Sequence, residues 1–136
     1  MATTSLRILV VDDNVDSARM LTVLLRCEGH EARIALDGPA AIEAAKLHRP
    51  DFVLLDLTLP RMSGLEVAAE LRCLPELSAC RFVAITGHGE DRLPFPSPFH
   101  RYFVKPVNTD ALLGYLSWSE AGRVPPPHAM AAVAVG

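Results

Sequence analysis

Apolar residues along this chain follow two alternating rhythms. Arg7 to Val11, Phe52 to Leu55 and Phe82 to Ile85 form short, nearly continuous apolar runs that end at polar residues, as strands covered on both faces would. Between such runs the spacing changes to three and four. From Asp16 to Cys27, Ala18, Leu21, Leu24 and Leu25 make a helical stripe that stops at Glu28 and Gly29. Glu31 to Ala35 predicts a second strand, and Asp37, Gly38 and Pro39 start a helix that runs to about His48. Leu65 to Leu74 has helical spacing through Val67, Ala68 and Leu71 until Pro75 stops it. His100 to Val104 predicts a fifth strand, and Asn108 caps a last helix containing Leu112, Leu113 and Leu116.

Strand and helix therefore alternate, with connections suited to crossover helices. This order predicts an α/β fold with a five-stranded parallel sheet and helices on both faces. Open sheets of this kind bind ligands at the carboxyl ends of their strands. Asp12 and Asp13, Asp56, Thr86 and Lys105 all fall at such ends.

Composition narrows the function classes. The chain has 136 residues, enough for one domain with its own core, and half of them are apolar. Thirteen basic residues stand against 16 acidic ones without a Lys/Arg cluster, so direct nucleic-acid contact is not expected. Cys27, Cys73 and Cys80 form no CxxC pair and read as buried, reduced thiols. No signal peptide or apolar stretch of membrane-spanning length is evident, which predicts a cytoplasmic location away from membranes. Beyond Trp118 the prolines 125 to 127 and an unpatterned Ala/Val run mark residues 120–136 as a tail or linker, expected to be disordered.

The three carboxylates imply a cation. At about 4 Å, with an effective dielectric near 20, each pair repels by roughly 4 kcal/mol. Oxygen donors without His or Cys select a hard ion, and a site that must also take phosphate oxygens favours Mg²⁺ over Ca²⁺. The ion is expected between Asp13 and Asp56. A carboxylate so placed can act as a nucleophile and form an aspartyl phosphate when cations neutralise the transferred group. Lys105, fixed between a strand end and Pro106, is the natural second cation, and Thr86 can hydrogen-bond a phosphoryl oxygen.

VVDDN, LLDLTLPRMSG, ITGH and FVKPV, at four successive strand ends, resemble the motifs of response-regulator receiver domains over residues 6 to about 118. The resemblance implies a flavodoxin-like doubly wound fold in a receiver domain spanning residues 1–119. It also implies that Asp56 is phosphorylated by a histidine kinase or histidine phosphotransfer protein, in a domain that self-phosphorylates and autodephosphorylates without being a turnover enzyme. Asp13 would bind Mg²⁺ directly, Asp12 more remotely, and the backbone carbonyl of Thr58 would add a ligand. Thr86 and Tyr102 match the pair that moves together on phosphorylation in such domains, passing the signal to an unknown downstream protein or a homodimer. Helix one commonly meets the kinase in that family.

The chain departs from the family pattern between Gly87 and Phe99, where Pro94, Pro96 and Pro98 exclude a regular helix interior. The fourth helix is expected to be shortened or replaced by a proline-rich loop, with one turn near His88 to Arg92. His88 and His100 read as surface or loop residues. Thr58 occupies the position where an Asp-x-Asp phosphatase needs its second carboxylate, and no GxxxxGK[ST] loop supports an NTPase. A receiver-fold interaction module acting without phosphorylation is the remaining alternative.

Overall fold

The computed structural model describes residues 5–87 and 99–120. Five strands, β1 (Arg7–Val11), β2 (Glu31–Ala35), β3 (Phe52–Asp56), β4 (Arg81–Thr86) and β5 (Arg101–Val104), form one sheet in the order β2-β1-β3-β4-β5. Every neighbouring pair is parallel. This is the flavodoxin-like order, in which the chain reverses direction across the sheet between β1 and β3. Four α-helices lie among the described residues: α1 (Val15–Cys27), α2 (Gly38–His48), α3 (Gly64–Arg72) and α4 (Thr109–Glu120).

Alternation along each strand divides the core in two. Ile8, Val10, Phe52, Leu54, Val83 and Ile85 face α1 and α4, packing with Ala18, Leu25, Leu112 and Leu116. Leu9, Val11, Val53, Leu55, Phe82 and Ala84 face α2 and α3, packing with Ala41, Ala45, Val67 and Leu71. All five residues of β3 are buried, which explains its unbroken apolar run.

Short polar side chains set the helix starts. Asn14 Oδ1 accepts from the Ser17 N–H, Asp37 Oδ1 from Ala40 and Asn108 Oδ1 from Ala111. Ser63 and Glu66 form a reciprocal capping box at α3. Each cap satisfies donors that the helix leaves without partners and contributes about 1 kcal/mol.

Several boundaries differ from the sequence reading. β4 runs from Arg81 to Thr86 and β5 begins at Arg101. α3 ends at Arg72 rather than Leu74, because the Cys73 N–H bonds to Glu70 O and tightens the last turn before a 3₁₀ turn at Pro75–Leu77. Glu120, the first residue of the expected tail, ends α4 instead; the proline-rich loop and residues 121–136 lie outside the described residues.

The expectation of three buried thiols also needs correction. Cys80 is buried, whereas Cys27 and Cys73 are exposed at helix ends. Burial, followed by the charge of Asp51, pushes the Cys80 thiol up to about 12. Iodoacetamide under native conditions is therefore expected to label Cys27 and Cys73 and spare Cys80 until urea unfolds the chain, as counted by intact mass.

Candidate functional site

The carboxyl ends of β1, β3, β4 and β5 converge on one edge of the sheet. β1 delivers Asp12, which is buried, and Asp13, which is exposed; β3 ends at buried Asp56. One carboxylate oxygen from each lies within 4.8 Å of the others. β5 leads into Lys105, whose Nζ donates to Asp56 Oδ2 at 2.8 Å and to Asp12 Oδ2 at 3.3 Å. The remaining oxygens of the two buried carboxylates are also held, since Asn14 N–H donates to Asp12 Oδ1 and Thr58 N–H to Asp56 Oδ1. Each is thus fixed by a backbone donor on one side and an ammonium on the other.

Burial pushes the Asp56 carboxyl above its ordinary range, although Lys105 and the Thr58 N–H pull the other way. Burial pulls the Lys105 ammonium down, but the hydrogen bonds and charges of Asp56 and Asp12 outweigh it and hold the group above its usual value. Lys105 therefore stays charged at neutral pH.

Thr86 is buried at the end of β4, where its carbonyl accepts from the Lys105 N–H at 2.8 Å. Thr86 pairs with Val104 and Ala84 with Tyr102, so Thr86 and Tyr102 share one face of the sheet, two positions apart. Tyr102 is half-buried beside Phe99, with ring centroids 5.9 Å apart. Thr58 is exposed in the loop after β3.

Gly64, the last residue of the LLDLTLPRMSG segment, is a positioning residue whose role depends on the folded backbone. A Cβ there would lie 2.6 Å from both the Asp56 carbonyl oxygen and Leu57 Cα. The missing side chain lets the start of α3 rest directly on the backbone that presents Asp56. Its signal was present in LLDLTLPRMSG, where one glycine closes a loop of side-chain-bearing residues. The same loop holds Arg61 at φ +68°, with the Met62 N–H bonded to Pro60 O in a tight γ-turn.

A family profile described as the response regulator receiver domain matches residues 8–117. The chain belongs to the response regulator receiver family. The receiver is 39% identical over 113 residues to the DNA-binding response regulator MtrA of Mycobacterium tuberculosis, covering 83% of this chain and 50% of MtrA. It is 36% identical over 107 residues to the response regulator PleD of Caulobacter vibrioides, covering 76% of this chain and 24% of PleD. The receiver thus spans about half the length of MtrA and less of PleD. Among solved structures, a CheY-like receiver domain from Methylobacillus flagellatus aligns with a TM-score of 0.76 at 30% identity, covering 83% of this chain and 97% of that one. The response regulator TrrA of Thermotoga maritima, in complex with Mg(2+)-BeF, aligns with a TM-score of 0.72 at 33% identity, covering 81% and 95%. The receiver is a two-component signalling domain, and among its described residues no helix is long and apolar enough to cross a membrane.

Proposed function

We propose that Asp56 accepts a phosphoryl group from a phosphohistidine donor, a histidine kinase or histidine phosphotransfer protein, in a site that holds Mg²⁺. The observation that carries this reading is the placement of three carboxylates within 4.8 Å of one another, with Lys105 Nζ 2.8 Å from Asp56. The all-oxygen donor set suits a hard divalent ion, and TrrA, a relative with the same fold, takes Mg²⁺ together with beryllofluoride. Asp12, Asp13, Asp56 and the Thr58 carbonyl would hold the ion here. When bound, it neutralises the clustered carboxylates and polarises phosphoryl oxygens.

The chain's own groups supply the rest. An Asp56 carboxylate oxygen forms the new bond to phosphorus as the bond to the donor imidazole breaks, and the electron pair leaves with the imidazole nitrogen. Lys105 meets the negative charge on the transferred oxygens. Thr86, drawn to the phosphoryl group, moves away from the face it shares with Tyr102, and the ring follows, altering the surface that a downstream partner reads. A groove of about 550 Å³ between Met20, Leu21 and Leu24 of α1 and Val107 before α4 opens beside Asp12 and Lys105. It offers the phosphodonor an apolar seat next to the acceptor.

Incubation with Mg²⁺ and acetyl phosphate tests the reading. One phosphoryl adduct by intact mass, absent from Asp56→Asn, is expected; no adduct on the native chain would leave an interaction module that works without phosphorylation. Mg²⁺ alone is expected to raise the melting temperature, since a ligand about 100-fold above its Kd stabilises the folded state by about 2.7 kcal/mol. Asp13→Asn should blunt that rise, and an undiminished response would move the ion elsewhere.

A further inference from the structure

The order β2-β1-β3-β4-β5 leaves β2 and β5 at the edges of the sheet, and a histidine immediately precedes each of them. In both places the imidazole extends the sheet. His30 Nδ1 accepts from the Leu6 N–H at 3.1 Å while the Glu31 N–H donates back to Leu6 O at 2.9 Å. His100 closes a tighter version. Its Nδ1 accepts from the Phe82 N–H at 3.2 Å and its own N–H donates to Phe82 O at 2.7 Å, so one residue engages both backbone groups of Phe82. The expectation that His100 is a plain surface or loop residue is thereby corrected: it is half-buried and joined to β4.

An Nδ1 that accepts a hydrogen bond must carry no proton, so the imidazole is neutral with its hydrogen on Nε2. Protonation turns the acceptor into a donor that faces the Phe82 N–H, and the bond is lost. The surroundings favour the neutral form. Burial, then the charges of Arg72 on α3 and Arg81 on β4, lower the proton affinity of His100. Arg101 follows it on its own strand.

We propose that His100 is a proton-sensitive latch, which ties the amino end of β5 to both backbone groups of Phe82 when neutral and loosens it to the single main-chain bond when protonated. β5 has four residues, one neighbouring strand, and Lys105 directly after its far end. The latch therefore governs how firmly the sheet presents Lys105 to Asp56, a consequence that rests on the phosphoacceptor reading although the latch itself does not.

The sign follows from linkage. The unfolded or released histidine binds protons more readily than the latched one, so the latch is fully held above the ordinary histidine pKa near 6.5 and weakens as pH falls below it. Amide hydrogen exchange of the full chain, followed by NMR from about pH 7.5 to about pH 5 and corrected for intrinsic exchange, reads this directly. Protection of the Phe82 amide is expected to fall by up to about tenfold per pH unit below about pH 6.5, relative to Leu54 in the central strand. His100→Asn, whose Oδ1 can accept from Phe82 without titrating, should keep the protection at every pH; His100→Leu should lack it at every pH. Constant Phe82 protection in the native chain, or an identical acid loss in His100→Asn, would overturn the latch. None of these readouts requires phosphorylation, so failure of the latch and failure of the phosphoacceptor reading are separable.

Discussion

Lys105→Met is expected to slow formation of the Asp56 adduct from acetyl phosphate by about 100-fold or more, the usual loss when a preorganised charge is removed from a transition state. Lys105 is held at both ends, by its backbone N–H to Thr86 O and by its ammonium to Asp56 and Asp12. Methionine keeps the length and apolar stem but leaves two buried carboxylates without their cation. The same variant should therefore respond more strongly to Mg²⁺ in thermal melts, because the ion becomes the principal counter-charge to Asp12 and Asp56. Opposite signs for rate and metal response distinguish a lost catalytic charge from a damaged fold, which would lower both. The measurements are the rate of adduct growth at fixed Mg²⁺ and the shift in melting temperature on adding the ion. An unchanged rate would remove Lys105 from the chemistry.

Phe82→Ala is expected to cost about 3–5 kcal/mol, a large share of the roughly 5–15 kcal/mol that holds a domain together. The Phe82 ring is fully buried on β4 in the cluster facing α2 and α3, with the Arg72 guanidinium 4.9 Å from its centre. Truncation leaves a cavity among Leu71, Leu77 and neighbours that are themselves fixed, so relaxation recovers little. Urea titration should show a lower midpoint with an unchanged slope, and Phe82→Leu should fall between the two. A loss below about 1 kcal/mol would mean that the ring is not part of a close-packed core.

The legible parts of the chain were those where one local pattern decides the outcome. β3 announced itself because burial on both faces demands five consecutive residues without a solvent-facing position, and Asp56 could only stand at its end. Asp12, Asp13, Asp56 and Lys105 were found together because the alternation of elements sends all strand ends of one kind to one edge. What escaped depends on neighbours distant in sequence. His100 looks like any loop histidine until β4 is beside it and the Phe82 N–H needs a partner. Gly64 becomes indispensable only once the backbone of Asp56 and Leu57 lies against it. Cys27 and Cys73 were misplaced for a simpler reason: the buried stripe of α1 runs through Ala18, Thr22 and Leu25, and Cys27 falls off it. Thr22 joins that stripe because its hydroxyl donates to Ala18 O at 2.6 Å, leaving its polar atom satisfied.

Asp12, Asp56, Thr86 and Lys105 come from four different strands and span most of the described chain, yet none is near another until the sheet has closed in its final order. No fragment or half-assembled intermediate can carry the complete set. On the phosphoacceptor reading, the fraction of chains able to acquire the label is a direct head-count of finished molecules, and a nascent or damaged copy stays silent instead of sending a false message.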